Sequence, residues 1–197
     1  MKQGAWKFIL AGLIGLILGL LLFLPWQAIG DYAIEKGLTR AAEKNIYATV
    51  NSHTVEGVFN KVFVLRGIRV DYPVFSITLR ELRIDPHMLG LLSASQEVDL
   101  VIGRGELIPV TRQSLEWNSG TAKVTRRGEI ISFNEVDIKG AFSAKGSLAF
   151  STATGKLTSG ALTLTVPVTM DRALQMVSGS GLVPLRKIKD GEWRIER

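Results

Sequence analysis

From Phe8 to Leu24 the chain reads FILAGLIGLILGLLLFL, 17 consecutive residues without a polar side chain. At about 1.5 Å per residue the run covers roughly 26 Å, close to the roughly 30 Å hydrocarbon core of a bilayer. Trp6 and Trp26 stand 20 positions apart, again roughly 30 Å, which suits two interfacial aromatic belts. The spacing predicts a spanning helix over 8–26, anchored by Trp6, Phe8, Leu24 and Trp26, after a cytoplasmic tail of residues 1–7. Lys2 and Lys7 face no acid before Asp31, so the positive-inside rule puts the N-terminus in the cytoplasm and the chain beyond Trp26 outside it. In a bacterium this means a single-pass inner-membrane protein with a periplasmic C-terminal domain.

A cleaved signal peptide is the competing reading, with Lys2 and Lys7 as its basic region and Ala28-Ile29-Gly30 as a small-x-small cleavage site. The apolar run exceeds the roughly 7 to 15 residues of a signal core. Trp26 and Gln27 also crowd the site, and the helical pattern continues past it, which favours a retained anchor. Within the anchor, Ala11, Gly15 and Gly19 are spaced by four, a small-residue stripe along which two helices could pack into a homodimer. Glycine is common in membrane helices for other reasons as well.

After the anchor, DYAIEKGLTRAAEKN (31–45) has Ile34, Leu38 and Ala41 on one stripe and its charges elsewhere. This pattern is a short amphipathic helix, weakened at Gly37, in a juxtamembrane segment 27–45 that lies on the bilayer or docks on the domain below. From residue 46 the period becomes alternating, with Gly, Ser and Thr punctuation every eight to twelve residues. Leu162, Leu164, Val166 and Val168 alternate with Thr163, Thr165, Pro167 and Thr169. Phe142, Ala144, Gly146, Leu148 and Phe150 alternate with polar residues in the same way, and Phe75, Ile77 and Leu79, then Val98, Leu100 and Ile102, form shorter sets.

Two stretches depart from alternation. Val62-Phe63-Val64-Leu65 is apolar on both faces, which implies cover on both sides or a bulge near Gly67, and the parity shift between Leu79 and Leu82 implies a bulge or a strand end. Asp85-Pro86-His87-Met88-Leu89 reads as a capped helical turn. Met170, Ala173, Leu174 and Val177 have helical spacing before a stop at Gly179, and Asp190-Gly191 marks a terminal hairpin. The fold expected for 46–197 is mainly β, a curved, mostly antiparallel sheet arranged as a groove or a sandwich, with one or two short helices.

Catalytic signatures are thin. The chain has no cysteine, hence no disulfide, thiolate metal cluster or cysteine nucleophile. It lacks a GxSxG elbow, a Walker loop and a dinucleotide fingerprint. His53 and His87 are 34 residues apart, and neither has ligand spacing such as HExxH, so no zinc site is assigned. Asp85 and His87 read as a cap and a solvated loop residue, and Glu129, Glu135 and Asp137 as polar-face strand residues. No enzyme activity and no cofactor are expected. Of the formal charge of +6, Lys2 and Lys7 supply two, leaving a modest +4 outside the membrane. Arg126-Arg127 is only a dipeptide without an aromatic-rich basic stripe, so nucleic acid is excluded as a partner, and attraction to anionic headgroups is the more useful reading.

The anchor ending in FLPW, the short helix, and VFVLRGIRVDYPVFSITLRELRID followed by PHMLGLL resemble the opening of AsmA-like envelope proteins, and more closely the GspN proteins of type II secretion. The Gly-rich alternating strands from Lys139 to Val168 and the closing Asp-Gly-Glu-Trp hairpin extend the likeness. LptC-like lipopolysaccharide transport proteins share the gross plan. The GspN resemblance implies a non-enzymatic, inner-membrane-anchored accessory of protein export whose partners are type II secretion subunits. The AsmA-like and LptC-like resemblance implies a greasy sheet face that holds phospholipid or lipopolysaccharide acyl chains, with Phe142, Leu148, Phe150, Leu162, Leu164 and Val166 as its candidates. The same six side chains are more simply the core of a closed sandwich, because a one-sided apolar strand needs a sheet, a helix or a lipid as cover.

Overall fold

The computed structural model describes residues 12, 15–16, 19, 24–43, 45–58, 60–72, 75–87, 95–109, 114–179 and 184–197. Helix α1 (Trp26–Ala42) follows Pro25 directly. Strands β1 (Tyr47–Glu56), β2 (Val62–Tyr72), β3 (Phe75–Pro86), β4 (Ser95–Ile102), β5 (Gly105–Pro109), β6 (Leu115–Arg127), β7 (Ile130–Gly140), β8 (Ser143–Ser151) and β9 (Leu157–Thr165) come next. A 3-10 turn (Val168–Met170), helix α2 (Asp171–Gly179), β10 (Leu185–Lys189) and β11 (Glu192–Glu196) close the chain.

These eleven strands form one sheet in the order β1-β2-β3-β4-β6-β7-β8-β9-β11-β10, with β5 between β3 and β6. Beside β3, β4 pairs with residues 82–86 and β5 with residues 75–79, so the two share one slot end to end. Every pairing among the described residues is antiparallel. The expected β class holds. Among the described residues all eleven strands share one hydrogen-bonded sheet, which covers its own apolar face by curling and with α2.

The curl has a visible origin. Apolar positions change parity in the same row of neighbouring strands: Leu65 opposes Leu82 while Ile68 opposes Leu79, and Ile102 opposes Gly120 while Gly105 opposes Trp117. Gly67 lies in this row with φ of 60°, a left-handed conformation that glycine adopts without steric cost. Across β3 and the β4–β5 junction, Arg80 N–H donates to Arg104 O (2.9 Å) and Gly103 N–H to Glu81 O (2.8 Å), adjacent pairs where a regular ladder bonds alternate ones. The β6–β7 register also shifts between Trp117 and Ser119. These are the marks of a bulge stacked across strands, which bends them and returns the apolar set to one face. The shift between Leu79 and Leu82 is therefore a bulge inside β3. At Val62-Phe63-Val64-Leu65 both sequence alternatives apply, since Phe63 lies under α1, Val64 has 0% exposure, and the bulge at Gly67 follows.

The core gathers Leu115, Ala144, Leu162, Leu164, Val166, Met170, Leu185 and Trp193, with Phe142, Leu148 and Leu174 packed against it. Leu107 joins from the other side of the bulge row, as a continuous apolar face requires.

Three local expectations need correction. The helix expected over 31–45 starts at Trp26, because Pro25 is a sufficient stop signal and nothing between it and Asp31 breaks the helix. Its inner stripe is Gly30, Ile34, Leu38 and Ala41, and Gly30 packs on His53 and Phe63. Asp85 and Pro86 do not start a helical turn. They end β3, opposite Asp99 and Val98, because a free neighbouring strand outweighs a local capping signal. Glu129 sits in the β6–β7 turn and not on a strand, whereas Glu135 and Asp137 lie in β7 as expected, Glu135 with φ of 52° at a bulge.

The expected anchor falls largely outside the described residues, and with it Trp6, Phe8 and Ala11. Among the described residues no helix is long and apolar enough to cross a membrane. Gly15 and Gly19 are helical, each with open space where a Cβ would stand.

Candidate functional site

At the C-terminal end of the sheet, β8, the start of β9, and β10–β11 enclose a groove of about 830 Å³. Its floor is Leu148, Phe150, Leu157, Leu185 and Ile195, and its rim carries Lys156, Arg186 and Arg197. Arg197 Nη1 donates to Leu157 O at 2.6 Å and Ser178 Oγ donates to Leu185 O at 2.6 Å, which fix two edges of the opening. Phe150 meets Phe133 edge-on at 6.2 Å and 84°. Arg186 also pairs with Glu196 at 3.9 Å, and an apolar groove with Lys156, Arg186 and Arg197 at its margin can take a hydrocarbon chain bearing an anionic end.

The six residues proposed from sequence as a groove or core divide between the two. Leu148 and Phe150 line the groove. Leu162, Leu164 and Val166 lie in the core at 9%, 9% and 5% exposure, so they cannot meet a ligand without opening it. Phe142 sits at the core margin, edge-on to Trp117 at 6.4 Å.

A second concavity of about 500 Å³ spans the polar face near the bulge row and is lined by Arg69, Arg80, Arg104, Glu106 and Glu116 among others. Arg104 pairs with Glu116 (2.9 Å), Arg69 with Asp71 (2.9 Å), and Thr78 Oγ1 donates to Glu106 (2.9 Å). Most of its charge is thus matched internally.

Of the anchor residues within the described range, Leu24 is exposed and Trp26 opens α1 with its ring 6.0 Å from Lys61 Nζ. The Lys61 ammonium also donates to Gly57 O at 2.9 Å. His53 receives α1, since the Gln27 amide lies 2.8 Å and Asp31 Oδ1 3.3 Å from its Nε2. His87 follows β3, 2.8 Å from Asp99 Oδ2, and that hydrogen bond raises its pKa above the usual histidine value.

The family described as type II secretion system protein GspN-like, Synergistales, matches residues 4–197. The chain belongs to that family. No curated protein matches it. The match covers the whole sheet of this GspN-like chain as well as the segment before α1, so groove, bulge row and open edges all belong to the matched unit.

Proposed function

We propose that the chain is a non-enzymatic accessory of a type II secretion apparatus, tethered in the inner membrane by residues 8–26, with its sheet in the periplasm contacting neighbouring subunits. The family match over 4–197 carries this reading. The sheet supplies a means of contact. It ends in two edge strands, and such edges present unpaired backbone groups to which another strand can add. β10 carries Arg186, Lys187 and Lys189 within five residues, a composition that discourages pairing, whereas Glu56 is the only Asp, Glu, Lys or Arg in β1. β1 is therefore the edge expected to dock. A photo-crosslinker at Ser52 in β1 should capture an inner-membrane secretion subunit, and deletion of the protein should lower export of folded periplasmic substrates. Normal export together with no captured secretion subunit would overturn the reading.

The groove favours a second reading, in which Leu148, Phe150 and Leu157 hold an acyl chain and Lys156, Arg186 and Arg197 face its anionic headgroup. Native mass spectrometry of the full chain should then show bound phospholipid or lipopolysaccharide, and Phe150→Asn with Lys156→Glu should remove it while the protein stays folded. Repeated lipid-free preparations would sink it.

A further inference from the structure

Away from the groove, the ladder between β3 and β4 brings together side chains that the sequence separates. Asp85 opposes Asp99, and one step beyond the last pair, Pro86 with Val98, His87 comes opposite Glu97. β6 places Lys123 opposite Asp99 on its other side. Alternation puts Asp85, His87, Glu97, Asp99 and Lys123 on one face. A ligand nitrogen of His87 and one carboxylate oxygen each from Glu97 and Asp99 lie within 4.8 Å of one another. His87 and Asp99 side chains are 48% and 43% exposed, so an ion can reach them from solvent.

Lys123 Nζ is 3.4 Å from Glu97 and 3.8 Å from Glu135, and Asp99 stands opposite it across the β4–β6 ladder, so one ammonium serves several carboxylates. Asn60 donates to Asp85 Oδ2 at 2.9 Å, while Oδ1 of this half-buried side chain has no hydrogen-bond partner among the described residues. A buried carboxylate oxygen with no donor is costly, and it sits directly across the ladder from Asp99.

We propose that His87, Glu97 and Asp99 form a binding site for a divalent first-row metal ion of the Zn²⁺ type. One imidazole and two carboxylates with an open fourth position match zinc, which takes nitrogen and oxygen donors at about 2.0–2.2 Å. Ca²⁺ asks for about six to eight oxygens, and Mg²⁺ for a near-octahedral shell of oxygens and water, neither of which uses the histidine. A tetrahedral shell sets its donors about 3.3 Å apart, so the three, now within 4.8 Å of one another, need only a small adjustment in which His87 Nε2 and Asp99 Oδ2 open from their 2.8 Å hydrogen bond to admit the ion. The ion would clip β3 to β4 at the end of their ladder, and Lys123, which now shares Glu97, is its competitor.

Calorimetric titration of ZnCl₂ into the untagged full chain in detergent, at neutral pH, tests this. Saturable one-to-one binding is expected, weakened at least about tenfold by His87→Ala and by Asp99→Asn, unchanged by His53→Ala, and tightened by Lys123→Gln. CoCl₂ should give the visible absorption of a low-coordinate site that His87→Ala abolishes. Absence of saturable Zn²⁺ binding would overturn the proposal. So would Zn²⁺ binding that survives both His87→Ala and Asp99→Asn in variants shown by circular dichroism to be folded. CaCl₂ binding as tight as Zn²⁺ and indifferent to His87→Ala would overturn it too, by leaving a carboxylate cluster alone.

Discussion

Trp193→Ala is expected to lower stability by about 3–5 kcal/mol, a large share of what a domain of this kind has to lose. Trp193 is 2% exposed and opposes Leu164 across the β9–β11 ladder, so removing its ring opens a cavity in the middle of the core. It also severs a polar clasp. The indole N–H donates to Asp171 Oδ1 at 2.8 Å, and the same carboxylate accepts Gly191 N–H at 3.1 Å and Lys187 Nζ at 2.7 Å. One aspartate at the start of α2 thereby holds the terminal hairpin at its turn, where Gly191 has φ of 72°. The Lys187 hydrogen bond, then the Trp193 and Gly191 donors, keep the Asp171 pKa below the ordinary aspartate value. A carboxyl lowered in the folded state adds stability above its unfolded pKa and loses it as pH falls through the folded one. Trp193→Phe should keep most of the packing yet shift that acid loss to higher pH, because one donor is gone. Urea unfolding at neutral and acid pH measures both effects. A loss below about 1 kcal/mol for Trp193→Ala would mean the hairpin stands outside the cooperative core.

How much of this was legible depends on whether the signal was local. The alternation of Leu162 and Leu164, the Asp190-Gly191 turn, and the helix before Gly179 are each written within a few residues, and β9, the β10–β11 hairpin and α2 follow them. The parity shift at Leu79 to Leu82 is local as well and reads as a bulge or a strand end, between which only the ladder decides. That the same shift recurs beside it in β2, β4–β5 and β6 becomes visible only once register is known, and that alignment is what turns one bulge into a crease. Asp85-Pro86 shows the converse, a strong local cap signal overridden by a long-range ladder. The candidate site divides the same way. Alternation places Phe150 and Leu164 on one kind of face, but what covers each is decided by α2 and β11, which arrive later in the chain. His87 and Glu97 stand ten residues apart in no metal motif, and only the ladder makes them neighbours.

Leu164→Asp is expected to abolish the folded state at neutral pH. Leu164 is 9% exposed, with Ala144 (2%) and Trp193 (2%) as its ladder partners on either side, and Val166 and Met170 in the same cluster. A carboxylate there would lose its hydration and find hydrocarbon, a cost that exceeds the few kcal/mol separating folded from unfolded chains. Leu164→Ala, which leaves only a cavity, should cost about 2–5 kcal/mol and retain a cooperative melt. Phe150→Asp, at the half-buried groove, should fold, since water reaches its side chain. Circular dichroism melts of the three variants separate the two roles that one apolar sheet face can play. If Leu164→Asp folded with near-native stability, the face around it would have to be open, and the acyl-chain groove would extend to Leu164 and Val166 instead of stopping at Leu148 and Phe150.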